Sequence, residues 1–212
     1  MQKRKKINSK KSLYIIGSLL ILSSISIVGI KHYKEIKQTE SEDIAISEYY
    51  ETTNEEVKVE TTENKDNATK EEDKDNKEVI NYVGILRIPK INLKRGLVDR
   101  KSKYNDIKYN IMIHDKSTDP DVYGGNFILL AHSGNSNISF FKNLDKLKLN
   151  DAVYLDYNGK TYEYKLINIY DIEKTGKAVI KKNTKNSTIT LITCRTNTNK
   201  QIVLIGELVV NS

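Results

Sequence analysis

Residues 151–172 read DAVYLDYNGKTYEYKLINIYDI, two β-rich runs on either side of Asn158-Gly159. Asn-Gly between such runs is the strongest short-range signal for a β-hairpin, because both residues tolerate the positive φ angles of a tight turn. The stretch therefore predicts two antiparallel strands joined by a two-residue turn, and it indicates a β domain.

Further β-rich runs lie on both sides of this hairpin. Before and after it we find VGILRIPKINL (83–93), IKYNIMIH (107–114), GNFILLAHS (125–133), STITLITC (187–194) and QIVLIGELVV (201–210). Phe141, Leu144 and Leu147 recur every three residues, which predicts a short amphipathic helix. About eight strands with one short helix point to a small closed barrel or sandwich.

The N-terminal residues are typical of a membrane anchor. Residues 1–11 carry six Lys or Arg and no acid, and Ser12–Ile30 carries no charge. Nineteen helical residues span about 28 Å, close to the hydrocarbon thickness of a bilayer. A cleaved signal peptide is the alternative, but it usually has a shorter apolar run and an A-x-A-like site. We expect residues 12–30 to form an uncleaved transmembrane helix, with residues 1–11 cytoplasmic and the remainder extracellular.

A charged segment, residues 31–78, separates this anchor from the β domain. It holds eight basic and sixteen acidic residues and neither Gly nor Pro. Such a composition cannot bury enough apolar area to offset chain entropy, so we expect a disordered, flexible stalk, with helical stretches possible around Ile44–Tyr50. The β domain then occupies residues 79–212. A basic tip, an acidic middle and a moderately basic body do not form one phosphate-binding stripe, so nucleic acid is not the expected partner.

Chemistry is expected at two strand ends. Cys194, the single cysteine, ends an alternating strand and precedes a polar loop. A lone cysteine is often only a small buried hydrophobe, but this position argues against deep burial and suits a nucleophile. His132 follows the strand FILLA and precedes the polar residues 133–137. It could be a surface histidine, or it could form a thiolate–imidazolium pair with Cys194 in a barrel mouth.

The segment TLITC (Thr190–Cys194) resembles the T-L-x-T-C signature of the sortases. GILRIPKINL is similar to the opening strand of that family, and FILLAHS with SFFKNLDKLKLNDAVYL is similar to the segment that carries its histidine. The resemblance covers residues 81–210. It implies a closed, eight-stranded sortase-type β-barrel with one or two short helices, class A-like or class D-like, and cysteine transpeptidase activity.

The resemblance also implies roles and partners. Cys194 would attack a Thr carbonyl in the C-terminal sorting signal of a secreted protein and form an acyl-thioester, with His132 as general acid and base. The acceptor would be an amine of a peptidoglycan precursor or a pilin lysine. The enzyme would act at the cell membrane, with its catalytic domain outside.

The sequence departs from the sortase pattern at one position. Sortases place an arginine at the start of the final strand, where it stabilises the oxyanion or holds the substrate. Alignment by apolar alternation puts Gln201 there, while Lys200 precedes it and Arg195 follows Cys194. The three residues remain alternatives for this role.

We expect no metal and no cofactor. Some sortases bind calcium through carboxylates near the loop before the nucleophile strand, but Glu173 is the only acid in residues 173–187, and hard cations require several oxygen ligands. Two other functions remain open. One is a non-catalytic, membrane-tethered binding barrel, and the other is a different extracellular cysteine enzyme acting on peptidoglycan.

Overall fold

The computed structural model describes residues 9–59, 80–182 and 184–209, and these ranges hold one α-helix and eight strands. The helix is α1 (Ser9–Val59). The strands are β1 (Tyr82–Ile88), β2 (Leu93–Val98), β3 (Met112–Ile113), β4 (Asn126–Leu130), β5 (Ala152–Tyr157), β6 (Lys160–Glu173), β7 (Thr188–Cys194) and β8 (Lys200–Leu208). Single 3₁₀ turns occupy Pro89–Ile91 and Leu144–Lys146. The prediction of about eight strands is confirmed.

The helix α1 is divided between two compact units, one ending at Ser41 and the other beginning at Glu42. The uncharged segment Ser12–Ile30 lies in the first unit, and apolar side chains in it such as Leu20 and Ile27 are exposed. Within the ranges that the structure describes, no helix combines the length and apolarity needed to cross a membrane. The transmembrane span stays a prediction, and residues 1–8 of the predicted basic tip lie outside the described ranges.

Residues 31–59 of the expected stalk continue α1, so the helix extends well beyond the stretch around Ile44–Tyr50 for which helix was considered. No Gly or Pro interrupts this stretch, so nothing in its backbone breaks the helix. Within the second unit, Ile46 is only 2% exposed, so this helix has apolar contacts that the composition alone did not predict. Residues 60–78 of the predicted stalk lie outside the described residues.

The eight strands form one sheet in the order β2-β1-β5-β6-β8-β7-β4-β3. Neighbouring strands are antiparallel except β4 and β7, which are parallel. The sheet curls into a nearly closed barrel, which agrees with the predicted fold class. The inward side chains form the main core, to which Phe127, Leu155, Tyr164 and Leu191 contribute.

Closure between the end strands β2 and β3 depends on the side chain of Asn110, which is 4% exposed. Its Nδ2 donates to the carbonyl oxygen of Gly96 on β2 at 2.9 Å. Its Oδ1 accepts from Nε of Arg95 at 3.0 Å and from the backbone N–H of Ile111 at 2.8 Å. One amide therefore joins the two edges where strand pairing ends, and it satisfies backbone groups that would otherwise be buried without partners.

The predicted hairpin is confirmed: β5 pairs antiparallel with β6, and Tyr157 lies opposite Lys160. Asn158 and Gly159 both have positive φ angles, 48° and 69°, as the two-residue turn requires. Phe141, Leu144 and Leu147 are also buried as predicted, but they do not lie on an α-helix: Leu144 begins a 3₁₀ turn, and Phe141 and Leu147 lie on either side of it. Hydrogen bonds there join residues three apart, and a repeat of three matches the 3₁₀ period.

Asp156 on β5 is the centre of a cluster of hydrogen bonds on the outside of the barrel. Its carboxylate accepts from Nε and Nη2 of Arg87 at 2.7 and 2.9 Å and from Oγ1 of Thr161 at 2.6 Å, and the hydroxyl of Tyr50 on α1 also donates to it. Burial alone raises the pKa of Asp156, but the hydrogen bonds from Arg87, Thr161 and Tyr50 outweigh it and hold the pKa below its ordinary value. The carboxylate therefore stabilises the folded state in its charged form.

We predict that Asp156→Asn lowers the free energy of unfolding at pH 7 by about 2–3 kcal/mol, because Arg87 loses its charged acceptor. Since the folded pKa is depressed, this contribution is fully present above the unfolded pKa, about 3.9, and is lost as the pH falls through the folded pKa. Urea denaturation between pH 7 and pH 3 measures both effects, with Asp115→Asn, which changes an exposed carboxylate, as the matched control. A difference between variant and parent that is the same at pH 7 and pH 3 would contradict the assignment.

Candidate active site

Cys194 is the last residue of β7, and its side chain is half-buried. In the antiparallel pairing of β7 with β8, Cys194 lies opposite Gln201. Residues directly opposite in such a pair point to the same face of the sheet. The thiol and the Gln201 amide therefore share the face that points away from the main core.

His132 is brought to the same end of the sheet by the parallel pairing of β4 with β7. The paired residues run from Asn126 and Thr188 to Leu130 and Ile192. Beyond the last pair, the N–H of Ala131 still donates to the carbonyl oxygen of Ile192 at 3.4 Å. The same register, extended two residues beyond Leu130 and Ile192, puts half-buried His132 level with Cys194. His132 follows β4, Cys194 ends β7 and Gln201 lies near the start of β8, so the three residues lie at the same end of three neighbouring strands.

Two hydroxyl groups fasten the end of β4 to the end of β7. Oγ1 of Thr193, which is buried, donates to the carbonyl oxygen of Ala131 at 2.7 Å. Oγ of Ser133 donates to the carbonyl oxygen of Cys194 at 2.5 Å. The two bonds lie on either side of the pair His132 and Cys194, so they fix the backbone that carries both side chains.

Arg195 and Lys200, the other two candidates for the arginine role, are placed differently from Gln201. Nε of Arg195 donates to Oδ1 of Asp171 on β6 at 2.8 Å, and both side chains are partly exposed. The N–H of Arg195 donates to the carbonyl oxygen of Lys200 at 2.9 Å and closes the turn between β7 and β8. Lys200 is exposed and lies opposite Glu173, one position before Gln201. Of the three, only Gln201 lies directly opposite Cys194.

A second apolar cluster covers the face that carries these residues. Ile128, Ile192, Val203 and Ile205 form its buried part, which we call the outer apolar cluster. By strand alternation, Ile128 shares the face of His132, Ile192 that of Cys194, and Val203 that of Gln201. Ile180, from the loop between β6 and β7, packs against the cluster. The thiol therefore lies at one end of a buried apolar cluster on the outer face of the sheet.

Across the described part of the chain, no group of three or more His, Cys, Asp and Glu residues is arranged to hold a metal ion. His114, the other histidine of the described β domain, accepts a hydrogen bond at Nδ1 from the N–H of Lys116 at 3.0 Å and so caps a turn. The expectation that the protein needs neither metal nor cofactor stays a prediction.

The sequence analysis did not identify the roles of Thr193, Ser133 and Asp171. For Thr193 a signal was present in the strand alternation. Its side chain lies on the same face as those of Ile189 and Leu191 and therefore points into the core. A hydroxyl in that position requires a hydrogen-bond acceptor. Asp171 carried no such signal, since it lies 24 residues before Arg195 and meets it only through the pairing of β6 with β8.

The arrangement contains the groups that acyl transfer to a thiol requires. Cys194 supplies a nucleophile, the imidazole of His132 can carry a proton, and the Gln201 amide can donate a hydrogen bond to a developing oxyanion.

Comparisons with known proteins agree with this arrangement. A family model described as the sortase domain matches residues 86–209. Among curated proteins, Sortase A of Bacillus anthracis is 28% identical over 138 residues, which are 64% of this chain and 62% of that protein. The chain thus spans less than two thirds of the length of this relative.

Solved structures show the same fold. A Sortase D5 transpeptidase of Clostridium perfringens superposes with a TM-score of 0.58 at 22% identity, over 80% of this chain and 98% of that chain. Sortase C1 of Streptococcus agalactiae superposes with a TM-score of 0.52 at 26% identity, over 62% of this chain and 69% of that chain. Because relatives of classes A, C and D all match, the class A-like or class D-like assignment stays a prediction.

We predict that Thr193→Val lowers the free energy of unfolding by about 1–3 kcal/mol, because the buried carbonyl of Ala131 loses its donor while the side-chain volume is nearly kept. Thr196→Val, the same change at an exposed position in the following turn, is the control and leaves stability close to that of the parent. Urea denaturation of the three proteins measures the difference. Equal stability of both variants would show that the hydroxyl does not fasten β4 to β7.

Proposed function

Because this chain belongs to the sortase family, we propose that it is a cysteine transpeptidase that cleaves the sorting signal of secreted proteins and transfers them to an amine. The support comes from one observation above all: Cys194, the only cysteine in the sequence, is half-buried at the end of β7, where Thr193 and Ser133 hydrogen-bond this strand end to the backbone on either side of His132. A partly accessible thiol beside an imidazole is the arrangement that a covalent acyl-transfer mechanism requires.

In the first half-reaction, the Cys194 thiolate attacks the carbonyl carbon of a Thr residue in the sorting signal. A C–S bond forms and the carbonyl electrons move to oxygen, which gives a tetrahedral intermediate. As this collapses, the C–N bond breaks and the His132 imidazolium gives its proton to the departing amine. The product is an acyl-thioester on Cys194.

In the second half-reaction, an incoming amine attacks the thioester carbonyl. His132 takes a proton from this amine, a new amide bond forms, and Cys194 leaves as the thiolate. The acceptor is an amine of a peptidoglycan precursor or a pilin lysine.

We assign the oxyanion role to Gln201. Its position opposite Cys194 supports this, and its amide can donate a hydrogen bond to the tetrahedral oxygen. Arg195 is engaged twice, through its side chain with Asp171 and through its N–H with Lys200. For the Arg195 guanidinium to stabilise the oxyanion, its ion pair with Asp171 would have to break in each turnover.

The remaining parts of the proposal concern location. Residues 12–30 anchor the protein in the cell membrane with residues 1–11 in the cytoplasm, and the catalytic domain works outside the cell. The uncharged run and the basic cluster before it support this orientation. The protein is proposed to act without metal or cofactor.

The test uses full-length protein in detergent micelles with a library of pentapeptides and an amine donor. Mass spectrometry is expected to detect an acyl-enzyme on Cys194 and the amide product, and Cys194→Ala is expected to abolish both. The melting temperature of Cys194→Ala is the control for folding. Turnover by this variant would exclude the covalent mechanism, and an unreactive thiol in the parent would favour a binding barrel instead.

Alanine variants distinguish the three candidates for the oxyanion role. We predict that Gln201→Ala lowers kcat/KM about 10²–10³-fold, the usual effect of losing one oxyanion donor. Arg195→Ala and Lys200→Ala serve as matched controls and stay within about threefold of the parent, a difference under 1 kcal/mol in the barrier. Gln201→Arg keeps or raises kcat/KM, because it adds charge where the oxyanion develops. A large loss in Arg195→Ala alone would transfer the role to the guanidinium.

A further inference from the structure

Residues 42–53 of α1, which we call the docked helix segment, belong to the same compact unit as the barrel. Ile46 in this segment is 2% exposed, and Tyr49 and Tyr50 are partly buried. The phenolic oxygen of Tyr49 donates to the carbonyl oxygen of Asp156 at 3.4 Å. The segment therefore packs on the barrel through an apolar side chain and through polar contacts with β5.

Two polar contacts hold the ends of this segment. Near one end, Glu42 pairs with Arg95 on β2, and the two side chains are 14% and 11% exposed. Eight residues later, about 12 Å along the helix, the hydroxyl of Tyr50 donates to Asp156 on β5. The first contact is a buried ion pair, and removing one partner from such a pair leaves an uncompensated charge.

Arg95 also contacts the loop that follows His132. The carbon at the centre of its guanidinium lies 4.1 Å from the centroid of the Phe140 ring, a close cation–π contact. The next residue, Phe141, is buried, and its N–H donates to the carbonyl oxygen of His132 at 3.0 Å. A continuous series of contacts thus runs from Glu42 through Arg95 and the two phenylalanines to the backbone of His132.

We propose that the docked helix segment positions His132 through Arg95. Glu42 compensates the buried guanidinium and holds it against Phe140, which fixes the loop that carries the hydrogen bond to His132. Without the carboxylate, the guanidinium keeps only its hydrogen bond to Asn110 and turns its remaining N–H groups toward solvent, and Phe140 loses the cation that holds its ring. Glu42 and Arg95 are therefore positioning residues, and they act on proton transfer without touching the substrate.

The inference rests on the proposed function only for its kinetic readout, so the experiment also includes a readout that needs no substrate. Full-length protein in detergent micelles, labelled with ¹³C at the histidine ring, is titrated by NMR, and the His132 resonance is assigned with His132→Gln. The variants are Glu42→Gln, which removes the charge, and Glu42→Asp, which keeps it. Tyr50→Phe is the matched control, because it removes a polar contact of the same segment at its other end.

We expect Glu42→Gln to shift the His132 resonance and its titration midpoint while the His114 resonance stays in place. In turnover assays the same variant lowers kcat about tenfold, as a displaced catalytic group does, and changes KM less than about twofold because substrate contacts are kept. Glu42→Asp, which keeps the charge, changes the His132 resonance and kcat less than Glu42→Gln does. Tyr50→Phe leaves the resonance and kcat unchanged although it weakens docking.

An unmoved His132 resonance in Glu42→Gln overturns the proposal. Equal shifts in Glu42→Gln and Tyr50→Phe also overturn it, because they would show that docking in general, and not Arg95, determines the position of His132. If Glu42→Gln does not fold, Phe140→Leu tests the same series of contacts, since it removes the ring but keeps an apolar side chain. If the parent does not transpeptidate, the proposed function is rejected. The NMR result alone then decides whether the docked helix segment positions His132.

Discussion

The parallel pairing of β4 with β7 is the constraint on which the candidate site depends. In a parallel pair both strands end at the same edge of the sheet, so residues that follow them meet there. His132 follows β4 and Cys194 ends β7, and the register continues from Leu130 and Ile192 to bring them level. An antiparallel pair would put the same two residues at opposite edges of the sheet. The hydroxyls of Thr193 and Ser133 then fix the two strand ends against each other.

The same strands carry apolar side chains on both faces, which explains their almost uninterrupted apolar sequences. Phe127 and Leu191 point into the main core, whereas Ile128 and Ile192 point into the outer apolar cluster. An apolar outer face requires cover, and the loop between β6 and β7 supplies Ile180. The hydroxyl of Tyr170 holds this loop by donating to Val179 and accepting from Lys181.

Most of the barrel followed from the sequence, and so did the positions of Cys194 and His132 at strand ends, because local signals determine them. The Asn158-Gly159 turn requires only its own φ angles, and the family signature ends at Cys194. The ion pair of Arg195 with Asp171 could not be predicted from the sequence, because Asp171 lies on a different strand, β6. The packing of residues 42–53 on the barrel was not predicted either, although helix around Ile44–Tyr50 was considered, since one buried Ile46 in a charged stretch has no periodicity to detect. Both differences arise from contacts between segments distant in sequence, which neither composition nor alternation records.

The strand order also bears on when the site can form during synthesis. β8 is the last of the eight strands along the chain, yet it lies inside the sheet between β6 and β7. One edge of β7, the strand that carries the thiol, pairs with β4, which lies 62 residues earlier in the sequence. Its other edge stays unpaired until β8 has been synthesised. Contacts of such high sequence separation form slowly. The surroundings of Cys194 are thus assembled only after β8 has been made, so a partly synthesised chain carries this cysteine without the strands that later enclose it.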